Sequence, residues 1–441
     1  MKIINTPSYR KLSTMFIIAM VGFIFGLAAP LNAAQDMSNP TLINPNHSAP
    51  INNNADNSDV AAVSLRKETD QNESQFQNFL NEIRAEAILN GIDEQIVTDA
   101  FANLKYHPKF VKSDKTQPEQ IETSAQYISL RVTKARVNQG VKYWQEHREL
   151  LQEISEYYGV APQYLLALWA VESDYGANRP KQPVIAALAS LAFDLRRRDF
   201  FRRELIAALK IVQAQAINPN HLMGSWAGAM GQIQFMPSSY LNFAVHWDNY
   251  KPAISAQPIA YDSESLKKKL PINNKARPAD IWYNNADALA SIANYLRQSG
   301  WQTANNGSES PAQNLNARQE WGVRVTLPPR FDRAISSDLA NLESSPEHSW
   351  QEWKAMGVAM ALPDRQAPSD GRMGRLIRAR KNEGNYYIVF NNFNVFLKWN
   401  RSILFGLVAG ELADLIEFSM KNPGHEKTNR PLPFPIVNSG S

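Results

Sequence analysis

Apolar residues recur at helical spacing through most of the chain beyond residue 75. "FQNFLNEIRAEAILNG" (76–91) sets Phe76, Phe79, Leu80, Ile83 and Ile88 on one side and ends at Gly91, as a helix closed by a glycine does. "YWQEHRELLQEISEYYGV" (143–160) repeats the pattern as far as Gly159. Pro162 then opens "PQYLLALWAVESDYG" (162–176), at a position where its missing N–H costs nothing. Further helices are expected at "PVIAALASLAFDL" (183–195), "DFFRRELIAALKIVQAQ" (199–215), "PSSYLNFAV" (237–245), "NADALASIANYLRQSG" (285–300) and "SILFGLVAGELADLIEFSM" (402–420). Only "WGVRVTLP" (321–328) and the pair "GRLIRAR" (374–380) and "NYYIVFNN" (385–392) read as extended, the pair joined by "KNEG" at hairpin spacing. The pattern predicts a mainly α (α+β) chain.

The ends follow other rules. Lys2, Arg10 and Lys11 precede an apolar run from Met15 to Ala29 and small residues at Ala33 and Ala34, the form of a secretory signal peptide over 1–34. Residues 35–73 are rich in Asn, Ser, Asp and Pro and read as a disordered tether, because so little apolar surface cannot offset ordering entropy. Residues 74–420 are expected to form the folded region, read as catalytic through the resemblance given below, and 421–441 a flexible C-terminal tail. No repeat of solenoid length is seen.

With no cysteine, an exported chain has no disulfide and must draw its stability from burial. The same absence excludes a thiolate nucleophile, a zinc–cysteine cluster and a lipid anchor on cysteine. A balance of 46 Lys+Arg against 42 Asp+Glu, net +4, gives no reason to expect nucleic acid. The seven histidines are scattered, and no H-E-x-x-H, G-x-S-x-G or P-loop occurs. "RRRDFFRREL" (196–205) reads either as a solvated helix face or as a substrate contact.

Glu172 is the conspicuous residue. It shares a helix face with Leu165, Leu168 and Trp169, where a carboxylate is uncommon unless paired or employed. Desolvation beside Trp169 raises a carboxyl pKa and suits it to proton donation, as glycosidic cleavage requires; pairing with an arginine in a core is the other reading. "GSWAGAMGQIQFMPSSY" (224–240) packs Gly224, Gly228 and Gly231 close together, with Ser225, Gln232 and Gln234 as neutral groups suited to sugar hydroxyl and acetamido groups. Tyr127, Trp226, Phe235, Tyr295 and Trp399 are candidate aromatic platforms.

At these residues the chain resembles the membrane-bound lytic transglycosylase B family of peptidoglycan-cleaving enzymes. The matching stretches are "FLNEIRAEAILNGI", "YGVAPQYLLALWAVESDYG", "LAFDLRRRDFFRREL", "GSWAGAMGQIQFMPSSY", "DALASIANYLRQSGW" and "FNVFLKWNRSILF". The resemblance implies a lysozyme-like α-domain with a catalytic cleft, extended by helical and small β elements. It maps Glu172 onto the single acid/base catalyst and Gln234 onto the motif glutamine. Ser225, Met230, Arg196, Arg197, Asn294, Tyr295 and Asn400 fall at substrate-cleft positions. It implies peptidoglycan glycan strands as partner, with cell-wall synthesis proteins as further candidates, and a periplasmic monomer without cofactor. A muramidase acting on the same bond and a non-catalytic wall-binding protein are the competing readings; the first needs a second carboxylate, for which Asp174 is poorly placed.

The chain departs from the family in three ways. Trp399 occupies "KWN" where tyrosine commonly precedes the asparagine, so a hydroxyl contact is lost or replaced by stacking. Neither an anchoring cysteine nor a wall-binding repeat is found. The family's calcium loop is replaced as well: between Asp248 and Asp280 the acids are Asp262 and Glu264, followed by Lys267, Lys268 and Lys269. Calcium takes about six to eight oxygen ligands. Millimolar calcium is therefore expected to leave the melting temperature unchanged in calorimetry, whereas a ligand at 100 times its Kd adds about 2.7 kcal/mol. A calcium-dependent rise would reveal ligands outside this segment.

Overall fold

The computed structural model describes residues 57–115, 122–249, 278–303, 320–329, 345–362, 367–380 and 383–422. The expected signal peptide (1–34), the start of the tether (35–56), the body of the replaced calcium loop (250–277) and the tail from 423 lie outside the described residues. In chain order come α1 (Asn57–Leu89), α2 (Glu94–Phe101), α3 (Pro108–Lys115), α4 (Ser124–Arg131), α5 (Lys134–Glu146), α6 (Arg148–Tyr158) and α7 (Pro162–Ser173). Strand β1 (Gln182–Pro183), α8 (Val184–Phe193), α9 (Arg198–Gln215), β2 (Met223–Gly224), α10 (Pro237–Phe243) and α11 (Asn285–Gln298) follow. The last part contains β3 (Gly322–Thr326), β4 (Glu347–Ser349), α12 (Trp350–Ala355), β5 (Ala359–Met360), β6 (Met373–Arg378), β7 (Tyr386–Val389), α13 (Asn391–Trp399) and α14 (Ile403–Lys421). The chain is mainly α with a small β portion, as its periodicity implies.

Several local expectations change. Helix α1 begins at Asn57, so residues 57–73 of the expected tether are helical. Within it the buried row is Phe76, Phe79, Leu80, Ile83 and Ala87, whereas Ile88 is 41% exposed. One residue of drift from the 3.6 period is enough to turn it outward. The helix read as continuous over 143–160 breaks at His147, whose φ of −122° is not helical, leaving α5 and α6. Helices α2 and α4 are short, eight residues each, and are started by side-chain caps. Asp93 Oδ1 accepts from the Gln95 N–H at 2.8 Å, and Thr123 and Gln126 form a capping box.

Helix α7 is buried from Gln163 through Ser173, with no polar face. Helices α14, α5, α11 and α6 pack around it, while α8 and α9 form an adjoining pair that carries α10 and α3. The arginine run is partly solvated, with Arg196, Asp199 and Arg203 exposed, and several of its members are paired. Arg196 and Arg197 pair with Asp114 of α3, Arg198 with Glu82 and Arg202 with Glu86 of α1.

A five-stranded antiparallel sheet, ordered β4-β6-β7-β3-β5, has its own core of Val323, Val325, Trp350, Trp353, Leu376 and Ile388. The expected hairpin is present, with Arg375 opposite Val389 and Arg378 opposite Tyr386. Among the contacts that fasten the sheet to the helices are these. The Trp321 indole N–H donates to Asp414 at 2.7 Å, the Tyr387 hydroxyl donates to Glu411 at 2.5 Å, and the Ser124 N–H donates to Glu383 at 2.8 Å.

The first contact generates a stability test. A Cβ added at Gly410 on α14 would stand 2.3 Å from the Trp321 ring, which is 1% exposed and held in place by Asp414. Helix propensity favours alanine by about 1 kcal/mol, and overpacking costs typically about 1–3 kcal/mol. Overpacking wins, so Gly410→Ala is expected to lower the calorimetric melting temperature by several degrees; an equal or higher value would show that the ring moves aside.

Candidate active site

Helix α7 ends in three successive left-handed residues, Asp174 (φ 52°), Tyr175 (φ 58°) and Gly176 (φ 81°). Two of them bear side chains and cost on the order of 1 kcal/mol or more each. Local contacts offset that cost. Asp174 pairs with Arg136 at 3.2 Å, the Tyr175 hydroxyl donates to the Arg136 carbonyl at 2.7 Å, and the Asn178 N–H donates to the Ser173 carbonyl at 2.8 Å. The reversal leaves Glu172 in the final turn of a helix that has no solvent face.

Glu172 is 4% exposed. The Trp399 indole N–H, at the end of α13, donates to its Oε1 at 2.7 Å. Burial pushes the Glu172 carboxyl up to about 8, against the opposing pull of that hydrogen bond. Trp399 is itself held by rings, with Tyr295 at 4.7 Å and 69° and Phe235 at 5.2 Å and 50°. The Tyr295 hydroxyl fixes the backbone behind it by donating to the Lys398 carbonyl at 2.7 Å. Trp399 thus meets Glu172 with an N–H donor, its ring edge-on to Tyr295 and tilted against Phe235 rather than stacked.

The glycine-rich loop closes the other side. Met230 and Phe235 exchange backbone hydrogen bonds at 2.8 and 3.1 Å, which lashes the loop into a tight ring. At Gly231 (φ 70°) a Cβ would come within 2.7 Å of the Ile281 carbonyl oxygen. Gln232 donates its backbone N–H to that carbonyl at 2.8 Å. Its side chain accepts from the Trp169 indole at 2.9 Å and donates to Asn285 at 3.2 Å. A Cβ on Gly176 would lie 2.1 Å from the same amide oxygen, so the helix end, the loop and α11 meet with no room to spare. Gln232, expected as a sugar donor, is therefore an internal strut.

Gln234 differs from it. Its backbone is left-handed (φ 50°), its amide Nε2 donates to the Gly231 carbonyl at 2.7 Å, and its buried Oε1 has no hydrogen-bond partner. A buried acceptor left unmet costs about 1–3 kcal/mol, which a ligand N–H or O–H would recover.

The remaining expected residues divide. Ser225 accepts two loop N–H groups on its Oγ, from Ala227 at 3.3 Å and Ala229 at 3.1 Å, and shapes the loop. Met230 is fully buried. Asn294 spends its amide on the Phe243 carbonyl at 2.8 Å and on Gln298 at 2.9 Å, and Asn400 accepts from the Ser402 N–H at 3.0 Å. Arg196 and Arg197 are joined to Asp114 rather than to the Glu172 network; burial, then the neighbouring Arg196, brings Arg197 down to about 10. Tyr127 is buried beneath the Arg131 guanidinium at 3.6 Å. The Gln232–Asn285 link and the Arg136–Asp174–Tyr175 clasp leave no periodic signal and appear only on folding.

No group of three or more His, Asp or Glu side chains able to hold a metal occurs among the described residues. At the neck of the 250–277 segment, Asp287 is fully buried and accepts from His246 at 2.9 Å, the Trp247 N–H at 3.0 Å and the Asp280 N–H at 2.7 Å.

Known proteins resemble this chain in sequence and in fold. A family model described as transglycosylase SLT domain matches residues 75–252 and 273–414. Over 237 residues the chain is 28% identical to membrane-bound lytic murein transglycosylase B of Escherichia coli (strain K12), a match covering 52% of each, so it spans about half the length of that curated relative. SltB3 from Pseudomonas aeruginosa in complex with NAG-NAM-pentapeptide is 33% identical at a TM-score of 0.61, covering 79% of this chain and 80% of that one. The same protein in complex with NAG-anhNAM-pentapeptide is 32% identical at a TM-score of 0.61, covering 78% and 79%. The Escherichia coli lytic transglycosylase Slt35 in complex with bulgecin A, 21% identical at a TM-score of 0.58 over 79% of this chain and 94% of that one, shares the lysozyme-like fold. Matched by that family model over well beyond half of its length, the chain belongs to the transglycosylase SLT domain family.

Proposed function

We propose that this chain is a lytic murein transglycosylase that cleaves the MurNAc-β-1,4-GlcNAc bond of peptidoglycan without water, with Glu172 as its single acid/base. The observation that carries the reading is the state of Glu172: desolvated, raised to about 8 and therefore protonated at neutral pH, and among the described residues hydrogen-bonded through one oxygen only. Indole N–H is a donor and never an acceptor, so Oε1 stays the accepting oxygen and Oε2 carries the proton. Glu172 gives that proton to the linking oxygen, and the C1–O bond breaks. The muramoyl acetamido group stabilises the oxocarbenium-like C1 in place of a second carboxylate. The Glu172 carboxylate then takes the proton of the 6-hydroxyl as O6 closes on C1, leaving a 1,6-anhydromuramoyl end. Gln234 Oε1 is placed to accept from the substrate's polar hydrogens.

A muramidase requires a second carboxylate to position water, and Asp174 is committed to Arg136 at 3.2 Å. A wall-binding protein without activity has no use for a desolvated acid. The glycan strand is the partner, and the relative solved with NAG-anhNAM-pentapeptide favours the same product class. The chain is placed in the periplasm as a monomer, and cell-wall synthesis proteins are further partners. No described helix is long and apolar enough to cross a membrane.

Glu172→Gln keeps the Trp399 contact but cannot transfer a proton. It is expected to reduce clearing of purified sacculi by at least about 10²–10⁴-fold, while wild-type products, measured by mass spectrometry, carry anhydromuramoyl ends and lack one water relative to hydrolytic fragments. Reducing ends as the main wild-type product would favour the muramidase. The same variant should gain stability over wild type as pH rises from 4.5 towards 8, because native Glu172 holds a proton that the unfolded chain releases across that window.

Trp399→Phe removes the donor that opposes desolvation. The descending limb of kcat/KM against pH, set near 8 in the wild type, is expected to move to higher pH on soluble glycan strands. A limb that stays in place would show that Trp399 does not tune the acid.

A further inference from the structure

Tyr283 is 78% exposed, yet its backbone is mounted rigidly. Its N–H donates to Asp280 Oδ1 at 2.9 Å, and that of Trp282 donates to the same oxygen at 3.0 Å. The Trp282 indole donates to the Met223 carbonyl at 2.9 Å, which pins the segment to the start of the glycine-rich loop. Arg179 Nη1 donates to the Trp282 carbonyl at 2.8 Å, and its guanidinium carbon sits 5.0 Å from the centre of the Tyr283 ring. Among the described residues Arg179 meets no carboxylate, and no second ring or cation touches Tyr283. One face of the ring is clamped by a cation and the other is open.

The place matters as much as the pair. Asn178, the residue before Arg179, is bonded to the Ser173 carbonyl at 2.8 Å, directly beyond Glu172. Ile281, two residues before Tyr283, receives the Gln232 N–H of the glycine-rich loop at 2.8 Å. The exposed ring therefore projects from the junction of the two segments that frame the acid. An amphipathic ring held in advance stacks on the C–H face of a pyranose at little ordering cost, and a guanidinium with unused N–H groups serves oxygen acceptors beside it.

We propose that Arg179 and Tyr283 form an outer sugar-binding subsite, the open face of Tyr283 stacking on an N-acetylhexosamine ring of the glycan strand and Arg179 donating to oxygens of the same or the adjoining sugar. It rests on the glycan-strand reading above and adds a contact beyond the reacting sugars. Its role is to hold long strands in register.

The test uses the full chain on peptide-free glycan strands and on the shortest fragment that it cleaves. Tyr283→Ala and Arg179→Ala are expected to raise KM on long strands about three- to tenfold, the range for one aromatic contact, with kcat, melting temperature and KM on the shortest fragment unchanged. Tyr283→Phe should behave as wild type. Equal KM values for all variants on long strands would overturn the subsite, as would an equal loss on short and long substrates. Wild-type protein that neither binds nor cleaves glycan strands would sink the transglycosylase reading itself, and the subsite with it.

Discussion

A helix without a solvent face carries its only carboxylate in its last turn, and the rest of the molecule is arranged around that fact. Burying α7 from Gln163 to Ser173 is favourable for its leucines, alanines and tryptophan and unfavourable for Glu172. The conflict is met by keeping the carboxyl protonated and giving it one neutral donor, Trp399, rather than a cation. An arginine partner would instead have favoured the charged carboxylate. Arg136 is engaged by Asp174, two residues beyond Glu172.

The surroundings of Glu172 break local rules in ways that a purely structural core would not. Asp174, Tyr175 and Gln234 are left-handed without being glycine, and Gln234 keeps a buried oxygen without a partner. Each is a small destabilisation held in place by well-satisfied neighbours: the Trp169–Gln232–Asn285 chain, the Met230–Phe235 ring, and Glu204 of α9, whose carboxylate receives the Ser238 N–H at 2.9 Å at the start of α10. Strain of this kind persists only where the surrounding structure over-determines it, and here it is gathered at one place and supported from several sides.

The small sheet serves the same site from a distance. Through Trp321–Asp414 and Tyr387–Glu411 it braces α14, which packs against α7. Its last strand, β7, leads directly into α13 and so to Trp399. The indole that touches Glu172 is thus carried by an element whose start is set by sheet register and whose end is set by ring packing.

Much of this was legible in the residues alone. Periodicity located most of the long helices and the hairpin, because burying one face of a helix or strand leaves a repeat of 3.6 or 2 in the apolar positions. Glu172 and Gln234 stood out because a carboxylate among leucines and a glutamine among glycines are costly choices. What the sequence could not decide is anything that depends on two segments meeting. Gln232 has the chemistry of a sugar donor, yet its side chain is tied to Trp169 and Asn285 inside the fold, and Arg197 is paired with Asp114, more than eighty positions earlier in the chain. That Trp399 reaches Glu172 across 227 positions, donating rather than merely stacking, was settled only by tertiary packing. Hydrogen-bond geometry acts over about 3 Å and leaves no periodic trace along the chain.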